Sequence, residues 1–163
     1  MRVALITLAL LLSAAAMAEC TDANEVFSCR VGQNALQVCH EDNTLIYSFG
    51  PPGNPDLTLT EPLETADFTP WPGIGRTMWD SLAFHNEGIT YEVWAALDKQ
   101  MDETAPEPQV QGGVTVMEGD RTLASLTCSE GSVRSFLDTV SVLKTAIGQC
   151  WDFDSDSWTT GCN

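Results

Sequence analysis

Positive charge is scarce in this sequence. Seven Lys and Arg residues and two His stand against twenty-three Asp and Glu in 163 residues, giving a formal net charge of −16. Nucleic acid and anionic lipid are bound by setting Lys and Arg against phosphate, so neither is an expected partner. The field favours cationic proteins or metal ions instead. Solubility alone accounts for the same composition, because net charge far from zero keeps a protein dispersed without any partner.

Other absences narrow the class further. No internal repeat, low-complexity tract or G-x-S-x-G elbow occurs. No C-x-x-C or Cys/His ligand pair is present, so a structural zinc has no local pair from which to close its tetrahedron. Only one long apolar run exists, Val3 to Leu12, and it is shorter than the roughly 20 residues a bilayer span needs. Met1-Arg2 before it and Ala16-Met17-Ala18 after it make the segment a secretory signal. The expected division is a signal peptide over 1–18, cleaved near Ala18, and a single secreted β-rich domain over 19–163. That domain is periplasmic or secreted and carries no membrane anchor. Glu19 directly before Cys20 departs from the motif of lipid-modified bacterial lipoproteins. Cleavage also removes Arg2 and makes the chain one unit more negative.

All six cysteines, Cys20, Cys29, Cys39, Cys128, Cys150 and Cys162, follow the cleavage site. An even count in an oxidising compartment predicts three disulfides, although fifteen pairings are open. The cysteines gather at the two ends of the chain, leaving the stretch between Cys39 and Cys128 free of them.

Short apolar stretches separated by turn residues predict antiparallel β structure. Strands are expected at 26–31, 35–39, 44–49 and 57–60, then 76–84 and 89–97, then 114–117 and 122–128. Polar turns at 40–43 and 85–88 would carry His40 and His85. Phe68 to Gly75 is expected as a loop around Trp71, and Lys99 to Gly112 as a long exposed one. In the strand 89–97, Tyr91, Val93, Ala95 and Leu97 share one face and Trp94 points from the other. Val133, Phe136, Leu137, Val140, Leu143 and Ile147 fall at helical steps, with Ser132 as N-cap and Gly148 as the stop. The fold class is mainly β: a small antiparallel barrel or sandwich of about seven or eight strands, one C-terminal helix, and disulfide links.

Candidate sites are few. Asp152, Asp154 and Asp156 place carboxylates at every second residue, like the opening of a calcium loop. Ser157 stands where such a loop has Gly, and Asn163 where it has a bidentate Glu. Trp71, between prolines, and Trp151 and Trp158, flanking the acidic tail, are loop aromatics of the kind that anchor interfaces or stack on sugars. Trp79 and Trp94 are expected in the core. A triad needs nucleophile, base and acid within reach of one another, and neither His40 nor His85 suggests one. Phe27-Ser28-Cys29 resembles a few residues of one strand in small exported bacterial lysozyme inhibitors, whose serine-glycine and tyrosine motif has no counterpart here.

The expected function is that of a non-catalytic exported envelope protein, a binding module whose partner the sequence does not identify and whose charge leaves room for a cationic envelope or secreted protein, without enzymatic activity and without a cofactor. Three alternatives stand beside it: a carboxylate-dependent hydrolase, a lysozyme-type enzyme inhibitor, and a calcium-binding structural envelope protein.

Overall fold

The computed structural model describes residues 20–102, 104 and 106–161. The expected signal peptide and Cys162 lie outside the described residues. Four chain reversals are two-residue turns, the length whose backbone twist matches that of the flanking strands. Strand β1 (Glu25–Val31) returns as β2 (Asn34–Glu41), and β2 returns through Asp42 and Asn43 as β3 (Thr44–Gly50). Asp42 takes the positive φ that this turn requires. After β4 (Leu57–Pro62) and the three-residue β5 (Asp67–Thr69), β6 (Thr77–Asn86) turns at Glu87-Gly88 into β7 (Ile89–Asp98). Then β8 (Gln111–Glu118) turns at Gly119-Asp120 into β9 (Arg121–Thr127).

These turns are tighter than the sequence predicts. Pairing continues through His40, opposite Leu45, and through His85, opposite Thr90, so both histidines lie in strands and not in turns. Likewise Phe68 is not loop. Its pairing with Leu82 makes β5 a strand and buries the ring.

Three further strands are short: β10 (Arg134–Ser135), β11 (Gln149–Asp152) and β12 (Ser157–Thr160). All pairings are antiparallel. One five-stranded sheet runs β10-β1-β2-β3-β4, a second runs β5-β6-β7-β8-β9, and β11-β12 is a separate hairpin. The two large sheets stack as a sandwich and do not close into a barrel. The eight longer strands are those expected from the sequence; β5, β10, β11 and β12 are too short to show a period of two.

The core lies between the sheets. Tyr47 of β3 packs on Phe84 of β6 and Tyr91 of β7, with ring centroids 5.4 and 5.8 Å away. Phe27 of β1 fills the space a side chain at Gly112 of β8 would occupy, lying 3.0 Å from an ideal Cβ there. Each fully buried large apolar side chain contributes about 1.5–3 kcal/mol, so these cross-sheet contacts hold the layers together. Cys29–Cys128 adds a covalent tie from β1 to the residue after β9, and Cys20–Cys39 fastens the start of the described chain to β2. Cys150 is also disulfide-bonded. Disulfides of this kind belong to an oxidising, non-cytoplasmic setting. Among the described residues, no helix is long and apolar enough to cross a membrane.

The helix is shorter than expected. Helix α1 spans Thr139–Ala146, not the whole run from Val133 to Ile147. Arg134 and Ser135 instead pair with Ser28 and Phe27 at the edge of β1, and Phe136 N–H donates to Val26 O. The β1 edge offers unpaired backbone groups that a helix at 133–136 would leave unmet. Ser132 is therefore no N-cap; its hydroxyl bonds Ser129 O at 2.6 Å and accepts from Arg30 N–H. At the other end Gly148, with φ of 87°, stops the helix.

Helix α1 brings Val140 and Lys144 into the interior, and Leu137 is buried just ahead of it. Lys144 Nζ donates to Leu63 O (2.9 Å), Gln149 Oε1 (3.2 Å) and Glu64 O (3.5 Å), and lies 5.3 Å from the Trp158 ring. Burial pushes its ammonium pKa down, against the pull of Asp67. Three acceptors for three donors mark it as a structural clamp between α1, β11 and the β4–β5 connection.

Candidate functional site

Strand parity puts one carboxylate where an apolar residue belongs. Leu82 and Phe84 of β6 are fully buried, and by the period of two Asp80 and Met78 share their core-facing side. Asp80 pairs with Ala95 of β7, which pairs with Gly112 of β8. Phe27 takes up the space over Gly112, while Ala95 lines the groove beside Asp80. The β10–α1 connection crosses here, and the result is a groove of about 370 Å³ lined by Met78, Trp79, Asp80, Leu97, Leu137 and Asp138, among others.

The two carboxylates meet there from different elements. Asp80 comes from β6 and Asp138 from the head of α1, where it occupies the N-cap position without making a capping bond. Its carboxylate is thus not spent on the helix. Burial holds the Asp80 carboxyl above the usual carboxylate range; the Trp71 amide draws it back, and the negative Asp138 adds to the rise. Among the described residues neither carboxylate has a cation to pair with. Arg121 pairs with Glu118, Arg134 with Asp22 and Glu25, and Lys99 lies over the Trp71 ring and donates to Gly75 O.

Trp71 belongs to this site through its backbone. Its N–H donates to Asp80 Oδ1 at 3.0 Å, and its indole N–H donates to Ile74 O at 2.8 Å. The loop so fixed leaves Ile74, three residues after Trp71, 75% exposed. Trp79 is not core: it points from the outer side of β6, 37% exposed, because Asp80 and Leu82 set the opposite parity. Trp94 shares that outer side and is half-buried, since its partners across the sheet are Ser81 and Gly113.

The other predicted aromatics lie elsewhere. Trp158 donates its indole N–H to Phe68 O at 2.7 Å and meets Trp151 edge-on at 5.6 Å, so it seats the terminal hairpin on β5. Trp151 also meets Phe153 edge-on. Asp152, Asp154 and Asp156 fall around the turn of that hairpin. Asp152 already accepts from Asp154 N–H and the Ser155 hydroxyl, which hold its carboxyl below the ordinary range. Among the described residues no group of three or more His, Cys, Asp or Glu is arranged to hold a metal. His85 is 3.3 Å from Glu61 through Nδ1, an exposed imidazole on a largely covered carboxylate.

A second acidic pair lies on the outer face, where Asp67 and Glu92 flank Ala83 in register. Burial raises the Glu92 carboxyl, and Asp67 adds to the rise. Asp80, Asp138 and Glu92 escaped notice in the sequence because twenty-three acids conceal any particular pair. A polar residue at a core parity position, Asp80 in the strand 76–84, was the available signal. No family model, curated protein or solved structure matches this chain.

Proposed function

We propose that this protein is a non-catalytic exported binding module that docks a basic protein in the periplasm or the secreted medium, after removal of residues 1–18 near Ala18. The groove at Asp80 carries the reading: two carboxylates without a cation, set among apolar walls on a strongly acidic molecule. Acidic patches of this kind steer basic partners and fix their register. A disulfide-linked sandwich gives the rigid scaffold that such recognition needs.

The test is binding of the oxidised mature protein to a panel of immobilised basic proteins, a lysozyme among them, at low and high salt. Binding should weaken about ten-fold or more across that change. Lack of binding across the panel, or binding indifferent to salt, counts against the proposal. Suppressed lysis by the lysozyme would single out the inhibitor reading.

One observation favours a second reading, a carboxylate-dependent hydrolase. A general acid needs a raised pKa beside a second carboxylate, and Asp80 next to Asp138 meets that description. Turnover of a glycoside or ester panel that disappears in Asp80→Asn would establish it.

A further inference from the structure

The groove at Asp80 is apolar along its sides and anionic at two points. Met78, Leu97, Val110 and Leu137 form walls that suit a hydrocarbon stem. Asp80 and Asp138 come from separate elements and leave acceptor oxygens unspent, Oδ2 on Asp80 and the whole carboxylate on Asp138. The chain's own cations are committed elsewhere or stand outside the groove. A hard metal ion is the wrong occupant, because calcium takes six to eight oxygen ligands and these walls are largely hydrocarbon.

We propose that the groove receives an arginine side chain of the basic partner, its stem along Met78, Leu97 and Val110 and its guanidinium bridging Asp80 and Asp138. Arginine fits better than lysine for a geometric reason. Carboxylates on β6 and on the head of α1 need a planar fork of several donors to be reached together, whereas an ammonium is a point charge. This inference rests on the cationic-partner reading and sharpens it to one side chain.

The experiment titrates the oxidised, isotope-labelled mature protein with acetyl-Gly-Arg-Gly-amide and with its lysine and citrulline counterparts, followed by NMR. The Trp71 amide, bonded to Asp80, and the Asp138 amide are the reporters. Saturable shifts at both are expected with the arginine peptide, weaker binding by about three-fold or more with lysine, and none with citrulline, which keeps the shape and loses the charge. Asp80→Asn and Asp138→Asn should each weaken the arginine peptide about five-fold or more. Asp138 is exposed, so its variant folds even if Asp80→Asn were to disturb the loop. Equal binding of citrulline, or an unchanged Kd in Asp138→Asn, overturns the inference. If basic proteins bind both variants as tightly as the parent, the groove is not their site while the binding-module reading stands. If the arginine peptide fills the groove but no basic protein binds, the groove assignment survives and that reading falls.

Discussion

The Trp71 amide and the Asp80 carboxylate, 3.0 Å apart, couple an aromatic loop to a charge on the core-facing side of β6. The loop cannot shift without releasing a partly buried acid, and the amide in turn favours the charged form of that acid. A ligand that reached Asp80 would therefore be sensed at the Trp71 amide.

Stability should carry the mark of Asp80. A carboxyl whose folded pKa lies above its unfolded value of about 3.9 binds its proton more tightly in the native state. Its contribution is fully favourable below the unfolded value and is lost as pH rises through the folded one. Asp80→Asn keeps an oxygen for the Trp71 amide and removes the charge. Its Tm should exceed the parent's by a few degrees near neutrality and match it at about pH 3; a lower Tm at both pH values would refute this account.

The two described disulfides should differ in worth. Cys29–Cys128 closes a separation of 99 residues and Cys20–Cys39 one of 19. Chain-entropy loss grows with the loop, so paired serine replacements should cost about 4–5 kcal/mol for the first and about 3 kcal/mol for the second. Denaturant unfolding of the two double variants gives the order, and a larger loss from the shorter loop would contradict it.

Glycine at position 50 is required for space as well as for torsion. With φ of 143°, a Cβ there would lie 2.3 Å from Asp56 N, while Gly119, at φ of 55°, has open space around it. Gly50→Ala should destabilise by about 2–4 kcal/mol and Gly119→Ala by about 1 kcal/mol. Similar losses in urea unfolding would show that the Pro51–Asp56 turn yields easily.

Lys144→Met tests the buried clamp. Methionine fills the space but leaves Leu63 O and Gln149 Oε1 without their donor, and relief of the desolvated charge offsets only part of that. A net loss of about 1–3 kcal/mol is expected by equilibrium unfolding. A variant more stable than the parent would make the ammonium a burden and not a clamp.

Much of the fold could be read from residue order, because strand period and turn chemistry act over a few neighbours. The pattern of Tyr91, Val93, Ala95 and Leu97 identified one face of β7, and Trp94 does point from the other. The run from Val133 to Phe136 could not be read this way. Its spacing suits a helix, yet the open edge of β1 takes it as β10 and limits the helix to Thr139–Ala146. Trp79 misled for the same reason: hydrophobic character suggests burial, but parity within a paired strand decides the side.

The sequence by itself determined a mainly antiparallel β-chain with one helix near its end, an acidic surface and cysteines suited to an oxidising compartment. Those properties follow from composition and local pattern, which any short window expresses. Only the tertiary structure decided that the chain is a sandwich and not a barrel, and that Cys29 joins Cys128. It alone set Asp80 and Asp138 on separate elements along one groove. Residues 58 apart in sequence meet there because sheet stacking and the crossing of the β10–α1 connection act on the whole chain.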